Sequence, residues 1–216
     1  MELAALPLAA PRLLGARVAS TGPAVVVPGL SGGNGWTAVL RSHLRLLGHS
    51  THRLPHGTML GRPSSVVRRL VDLIDEVVEH EGGPVGLVGW SVGGAFTRQA
   101  ALARPHGVRQ LVTLGTPLDG MWYDTEWSAA QGPLPVPVTA VHSRSDGIFD
   151  WHRCLQPPSA RAENVEIVSS HLGMGLHPAA LHVVADRLSQ PPGPWAPYRR
   201  GAPLVGEVVS APAGQA

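Results

Sequence analysis

The chain of 216 residues contains no lysine, so all 17 of its Lys/Arg cations are arginines. Against 15 acidic residues they leave a formal net charge of +2. No arginine run exceeds the pairs Arg68-Arg69 and Arg199-Arg200. The basic pI of about 9.3 therefore comes without the clustered basic stripe that nucleic-acid binding uses, and no nucleic-acid partner is expected. Arginine without lysine, in a chain rich in Ala, Gly and Pro, reads as the codon bias of a GC-rich genome. Cysteine is almost absent as well. Cys154 stands alone, which rules out a disulfide within the chain and favours a reducing compartment. No run of 18 apolar residues exists, so no membrane-spanning helix and no stable membrane insertion are expected. Met1 to Ser20 is apolar but is broken by Pro7 and Pro11 and lacks an early basic cluster, a poor signal peptide. A cytoplasmic protein is the expectation.

What is present has the composition of a globular domain, 44% hydrophobic and 15% charged. The length suits one domain. Short apolar runs alternate with longer amphipathic ones. Ala24 to Pro28 reads as a buried strand, followed by the glycine-rich turn 29–33. Trp36 to Leu47 reads as a helix with Asn34 as its cap, and His49 to Leu54 as a weaker strand. Ser64 or Ser65 caps a helix through about Glu79, whose apolar residues Val66, Leu70, Ile74 and Val77 recur near 3.6 spacing. Gly82-Gly83-Pro84 ends it. Val85 to Gly89 is a strand and Val92 to Ala103 a helix that stops near Arg104-Pro105. Strands at 110–114, 136–141 and 165–169 follow, then a helix at 178–188. Such alternation predicts an α/β fold, a mainly parallel central sheet with helices on both faces. Residues 1–21 form an N-terminal extension, 22–190 the domain, 118–135 a small cap insertion, and 191–216 a Pro-rich extended or disordered tail.

The sharpest motif is Gly89-Trp90-Ser91-Val92-Gly93, a G-x-S-x-G between a strand and a helix. That setting forces a tight turn which pushes the Ser91 hydroxyl out at the top of the sheet. The flanking glycines allow strand and helix to approach. A serine hydroxyl needs a base. Asp146 and Asp150 are the acid alternatives past the strand ending near His142, with Gly147 favouring Asp146. His171 and His177 are the base alternatives after the last strand. His171 is preferred because His177-Pro178 reads as the start of a helix. His49, His52 and His56 have metal-like spacing, but no cysteine or second cluster completes a site, and they read as surface histidines on a loop. An oxyanion hole needs two backbone N–H donors. Val92 is the first, and Leu30, with Ser31 as neighbour, is the second.

These motifs resemble the α/β-hydrolase superfamily, and within it the lipase and esterase-like members. The resemblance rests on Pro28-Gly29-Leu30-Ser31-Gly32-Gly33, Gly89 to Gly94, Leu114-Gly115-Thr116-Pro117, Ser145-Asp146-Gly147 and Ser170-His171-Leu172-Gly173. It covers residues 22–190. Thr113 to Pro117 is similar to a strand end of bacterial lipases. Such proteins usually carry His-Gly where this chain has Pro28-Gly29. The resemblance implies a Ser91–His171–Asp146 triad acting through an acyl-enzyme, with no metal or organic cofactor.

Aromatics are scarce, 5% of the chain, yet Trp90, Trp122, Tyr123, Trp127, Phe149 and Trp151 gather around the expected mouth. Trp90, Trp122, Tyr123, Trp127 and Phe149 are the expected substrate wall, suited to a small-molecule apolar or lipid-like ester. An insertion of this length favours short- or medium-chain acyl groups. The alternatives are a thioesterase or acyltransferase with the same triad, and a non-catalytic hydrolase-fold binding protein. Oligomeric state is not encoded in any feature of the chain.

Overall fold

Ala24–Val27, four consecutive buried residues, form β1, and their alternation builds both sides of the core. Ala24 and Val26 face one hydrophobic cluster, Val25 and Val27 the other, as the two-residue period of a strand requires. The computed structural model describes residues 20–30, 33–55, 62–118, 132–191 and 194–199. After β1 come α1 (Gly33–Trp36), α2 (Ala38–Leu46), β2 (Thr51–His52), α3 (Pro63–Glu81), β3 (Val85–Trp90), α4 (Val92–Ala103), β4 (Val108–Leu114), β5 (Val138–His142), β6 (Ala162–Glu166) and α5 (Pro178–Leu188). The strands form one sheet of order β2-β1-β3-β4-β5-β6, and all five pairings are parallel.

Buried α3 residues Val66, Leu70, Ile74 and Val77 pack with Phe96 and Ala100 of α4 on one face. Leu40 and Leu44 of α2 pack with Leu181, Val184 and Leu188 of α5 on the other. A parallel sheet buried on both faces explains the near-continuous apolar strands β3 and β4. The order of strands reverses between β1 and β3. Such a reversal opens a crevice at the carboxyl ends of the two strands, where the loop of Gly29 and the turn of Ser91 meet.

Several local expectations shift. The helix expected over 36–47 is two pieces, broken at Thr37, whose hydroxyl donates to Asn34 O at 3.3 Å. Asn34 is no cap. It lies inside α1 and its Nδ2 donates to Leu54 O at 3.2 Å. Helix α3 starts at Pro63, not at a serine cap, because proline at the first helical position lacks only an N–H that would go unbonded anyway. The Ser65 hydroxyl instead donates to Arg62 O at 2.8 Å. The last strand lies at 162–166, not 165–169, since β5 ends at His142 and its register pairs His142 with Glu166.

His49 is buried, not on the surface. Its ring bridges Gly22 O at 3.2 Å and Ser189 Oγ at 3.3 Å. His52 binds Glu81, and His56 lies outside the described residues. Of the expected tail, residues 194–199 lie against the domain without helix or strand. Tyr198 N–H donates to Glu163 Oε2 at 2.7 Å, and Arg187 stacks on the Tyr198 ring at 5.6 Å. Most of the expected insertion, 119–131, lies outside the described residues. Among the described residues no helix is long and apolar enough to cross a membrane.

Candidate active site

Ser91 has φ +55° and ψ −132°, and among the described residues it is the one non-glycine with positive φ. A side chain held there stores about 1–3 kcal/mol of strain. The surroundings enforce it. Ser91 N–H donates to Leu114 O at 2.8 Å, and Ser91 O accepts from Gly94 N–H at 2.9 Å. A Cβ on Gly93 would collide with the Pro28 carbonyl, one on Gly94 with the Thr116 side chain, and one on Gly89 with the backbone of Gly94. Strand, turn and helix thus close together only with glycine at these places.

The Ser91 hydroxyl lies 2.9 Å from His171 Nε2, and His171 Nδ1 lies 2.7 Å from Asp146 Oδ2. A carboxylate accepts at Nδ1, so Nδ1 carries the proton in the neutral ring and Nε2 accepts from Ser91. Asp146 is only 3% exposed and His171 only 4%. The other Asp146 oxygen, Oδ1, accepts the N–H groups of Ile148 at 3.0 Å and Phe149 at 2.8 Å. Gly147, with φ +80°, allows that turn. Gly115 sits behind the pair. Its φ is +52°, and a Cβ there would stand 3.1 Å from both Asp146 Oδ2 and His171 Nδ1.

His171 is held from three sides. His171 N–H donates to Asp146 O at 2.8 Å, His171 O accepts the Trp90 indole N–H at 3.2 Å, and the Phe149 ring meets the imidazole edge-on at 5.0 Å. The alternatives to this line lie elsewhere. Asp150 is exposed, caps the short 3₁₀ turn Trp151–Cys154 and pairs with His152 at 2.7 Å. That histidine contact holds the Asp150 carboxyl below its usual range. His177 caps α5, accepting Ala179 N–H at 3.2 Å.

A pocket of about 190 Å³ opens beside Ser91. Leu30 and Val92, the expected oxyanion donors, both line it. Val92 opens α4, and the first N–H groups of a helix have no intrahelical acceptor. Gly29, next to Leu30, passes so close that a Cβ on it would lie 3.1 Å from Ser91 Cβ. Ser31 lies outside the described residues. Trp90 and Phe149 line the pocket as expected from the sequence. Trp122, Tyr123 and Trp127 lie outside the described residues. Trp151 instead stacks on His142 at 5.6 Å, away from the pocket lining.

Three lining residues escaped the sequence reading: Trp36, Ile148 and Leu172. The available signal was adjacency, since Ile148 follows the Asp146-Gly147 turn and Leu172 follows His171. Trp36 gave no such signal; it reaches the site because the break at Thr37 lets its ring meet Trp90 at 5.6 Å. Among the described residues no group of three or more His, Cys, Asp or Glu could hold a metal ion.

No protein-family model matches the chain. The rat mitochondrial palmitoyl-protein thioesterase ABHD10 is 25% identical over 68% of this chain and 66% of that protein, so the chain spans just under two thirds of its relative. The structure of mouse alpha/beta hydrolase domain-containing protein 10 is similar at a TM-score of 0.59 and 22% identity, covering 76% of this chain and 86% of that one. A structure of the metagenome-derived lipolytic enzymes LipS and LipT is similar at 0.65 and 15% identity, over 80% and 94%. With the six-stranded parallel sheet, these likenesses show that the chain has the α/β-hydrolase fold.

Proposed function

We propose that the protein is a serine hydrolase that cleaves apolar acyl esters through an acyl-enzyme on Ser91. The observation that carries this reading is the line from Ser91 Oγ through His171 to Asp146, at 2.9 and 2.7 Å, opening on an apolar pocket. Ser91 Oγ attacks the acyl carbonyl while His171 Nε2 takes its proton. Asp146 holds the ring in the tautomer that can accept and stabilises the imidazolium that forms. The N–H groups of Val92 and Leu30 receive the oxyanion. His171 then returns its proton to the leaving group, and water, activated by the same ring, releases the acid.

The pocket volume of about 190 Å³ is below the usual range for drug-sized ligands, roughly 300–1,000 Å³. That supports a short- or medium-chain acyl group. A second reading, thioester cleavage, is favoured by the similarity to a protein named as a palmitoyl-protein thioesterase. Both use the same nucleophile.

Labelling of the folded protein with a fluorophosphonate probe tests the shared core. Wild type is expected to label at one site and Ser91→Ala not at all, and a folded wild type that stays unlabelled refutes the reading. Rates on p-nitrophenyl esters and acyl thioesters of matched chain length then separate the two substrates. A maximum at long chains would overturn the short-acyl assignment.

A further inference from the structure

In a parallel pair, alternate residues of one strand donate to carbonyls on its neighbour. The last backbone rung between β5 and β6 is Ile167 N–H to His142 O at 2.9 Å. The next would take Ser169 N–H to the carbonyl two residues beyond His142, that of Arg144. The chain has already turned away there to carry Asp146, and residues 144–145 are a turn. Ser169 N–H donates instead to the hydroxyl of Ser143, at 3.1 Å. The rung after that is backbone again, His171 N–H to Asp146 O at 2.8 Å. Residues 167, 169 and 171 thus donate in turn, and the middle acceptor is a side chain.

That hydroxyl is fully committed. Ser143 is 1% exposed. Its oxygen also accepts Ser145 N–H at 3.2 Å. With both lone pairs used, its proton goes to Ser145 Oγ at 3.1 Å. Its own carbonyl accepts Asp146 N–H at 3.2 Å. One residue therefore bonds both the turn that presents the acid and the loop that presents the base.

We propose that Ser143 is a positioning residue, whose hydroxyl replaces a missing rung of the sheet and so fixes His171 against Asp146 and Ser91. The inference rests on the catalytic reading of those three residues. Without the hydroxyl, Ser169 N–H loses its acceptor in a site 3% exposed. The backbone of the base is then held only by the rung at its own N–H and the Trp90 contact at its carbonyl, with the Asp146 carboxylate and the Phe149 ring acting on the imidazole alone. A displacement near 1 Å at a catalytic group lowers rate by about 10²-fold.

The test compares wild type, Ser143→Ala, Ser143→Thr and Ser145→Ala, using fluorophosphonate labelling, kcat and KM on a p-nitrophenyl ester, and amide hydrogen exchange. Ser143→Ala is expected to lose about 10- to 100-fold in kcat and in labelling rate, with KM within about twofold. Faster exchange is expected at Ser169 and His171 but not in the interior of β5. Ser143→Thr restores most of the rate, and Ser145→Ala, which leaves the acceptor in place, stays near wild type. If Ser143→Ala does not fold, Ser143→Cys keeps the size with a poor acceptor and gives the same reading. Either folded variant labelling and turning over at the wild-type rate overturns the proposal. A wild type that does not label at all sinks the catalytic reading, which is a different result.

Discussion

At Ser91 a single residue carries two opposed demands, a strained backbone and a hydroxyl presented to His171. The strain is tolerated because neighbours leave no alternative: Gly93 passes beside the Pro28 carbonyl, and Ser91 N–H is tied to Leu114 O. Gly93→Ala puts a methyl against rigid backbone, which cannot yield as a side-chain end does. We expect a loss of roughly 1–3 kcal/mol in urea unfolding, together with slower fluorophosphonate labelling because the loop of Leu30 must shift. Asp146 presents a cleaner separation of structure from chemistry. In Asp146→Asn the remaining carbonyl oxygen still accepts Ile148 and Phe149 N–H, so the turn is kept. The amide NH₂ facing His171 Nδ1 forces the opposite tautomer, and Nε2 can no longer accept from Ser91. A fall in kcat on the order of 10⁴-fold with little change in Tm is expected, by the measure of the same change in a serine protease. Asp150→Asn, at an exposed cap, leaves kcat unchanged; an equal loss there would move the acid role away from Asp146.

At the scale of elements, legibility followed from whether a boundary was local. Helix α4 starts and ends where its sequence predicted, at Val92 and Ala103, because the elbow before it and Arg104-Pro105 after it are local signals. Helix α5 likewise begins at Pro178. Strand β6 did not, since its extent depends on how far β5 runs alongside it, a property of another segment. Its apolar residues Val165 and Ile167 are buried, but only the register with His142 decides where the ladder ends. Ser91, Asp146 and His171, the candidates that the structure brings within hydrogen-bond distance, could be proposed from the sequence because each follows a strand. The supporting contacts were not: Ser143 and Trp36 meet the site through pairings with Ser169 and Trp90 that no spacing announces. Helix α3 shows the same divide. Its end was legible in Gly82, which takes the left-handed conformation at φ +75°, while its start rests on Pro63. Gly82→Ala is expected to lose about 1–2 kcal/mol, the penalty of a side chain in that conformation. Gly83→Ala, facing open space at ordinary φ, stays within about 0.5 kcal/mol. Paired thermal melts check both, and equal losses would deny Gly82 a special role.

For the whole molecule, the way buried histidines are housed sets its response to acid. Among the buried histidines, His43, His49 and His142 are the ones whose affinity for protons burial lowers. Burial is the main cause that pushes each below its ordinary 6.5, with neighbouring histidines adding to it at His43, Arg109 at His49, and Arg144, opposed by Glu166, at His142. A histidine whose folded pKa is depressed binds fewer protons folded than unfolded. Stability then rises with pH where the two states differ. The contribution is complete above the unfolded value of about 6.5 and is lost progressively as pH falls toward the folded value. We therefore expect Tm to be flat from about pH 8 to 7 and to fall steadily below about 6.5, ahead of most carboxylate titration. His142 isolates one share of this. Among the described residues its ring nitrogens make no well-formed hydrogen bond, a weak contact with the Ala140 backbone aside, and its ring stacks on Trp151. His142→Phe keeps the stacking shape and removes two poorly satisfied buried polar atoms, which is expected to add up to about 1 kcal/mol near neutrality. Its advantage over wild type must widen as pH drops, because the variant has no proton to take up at that site on unfolding. A melt series across about pH 5 to 8 reads this directly. An advantage that stays constant with pH would mean that His142 keeps its ordinary affinity for protons inside the fold, and would leave the acid sensitivity to His43 and His49, in the connection between β1 and β2.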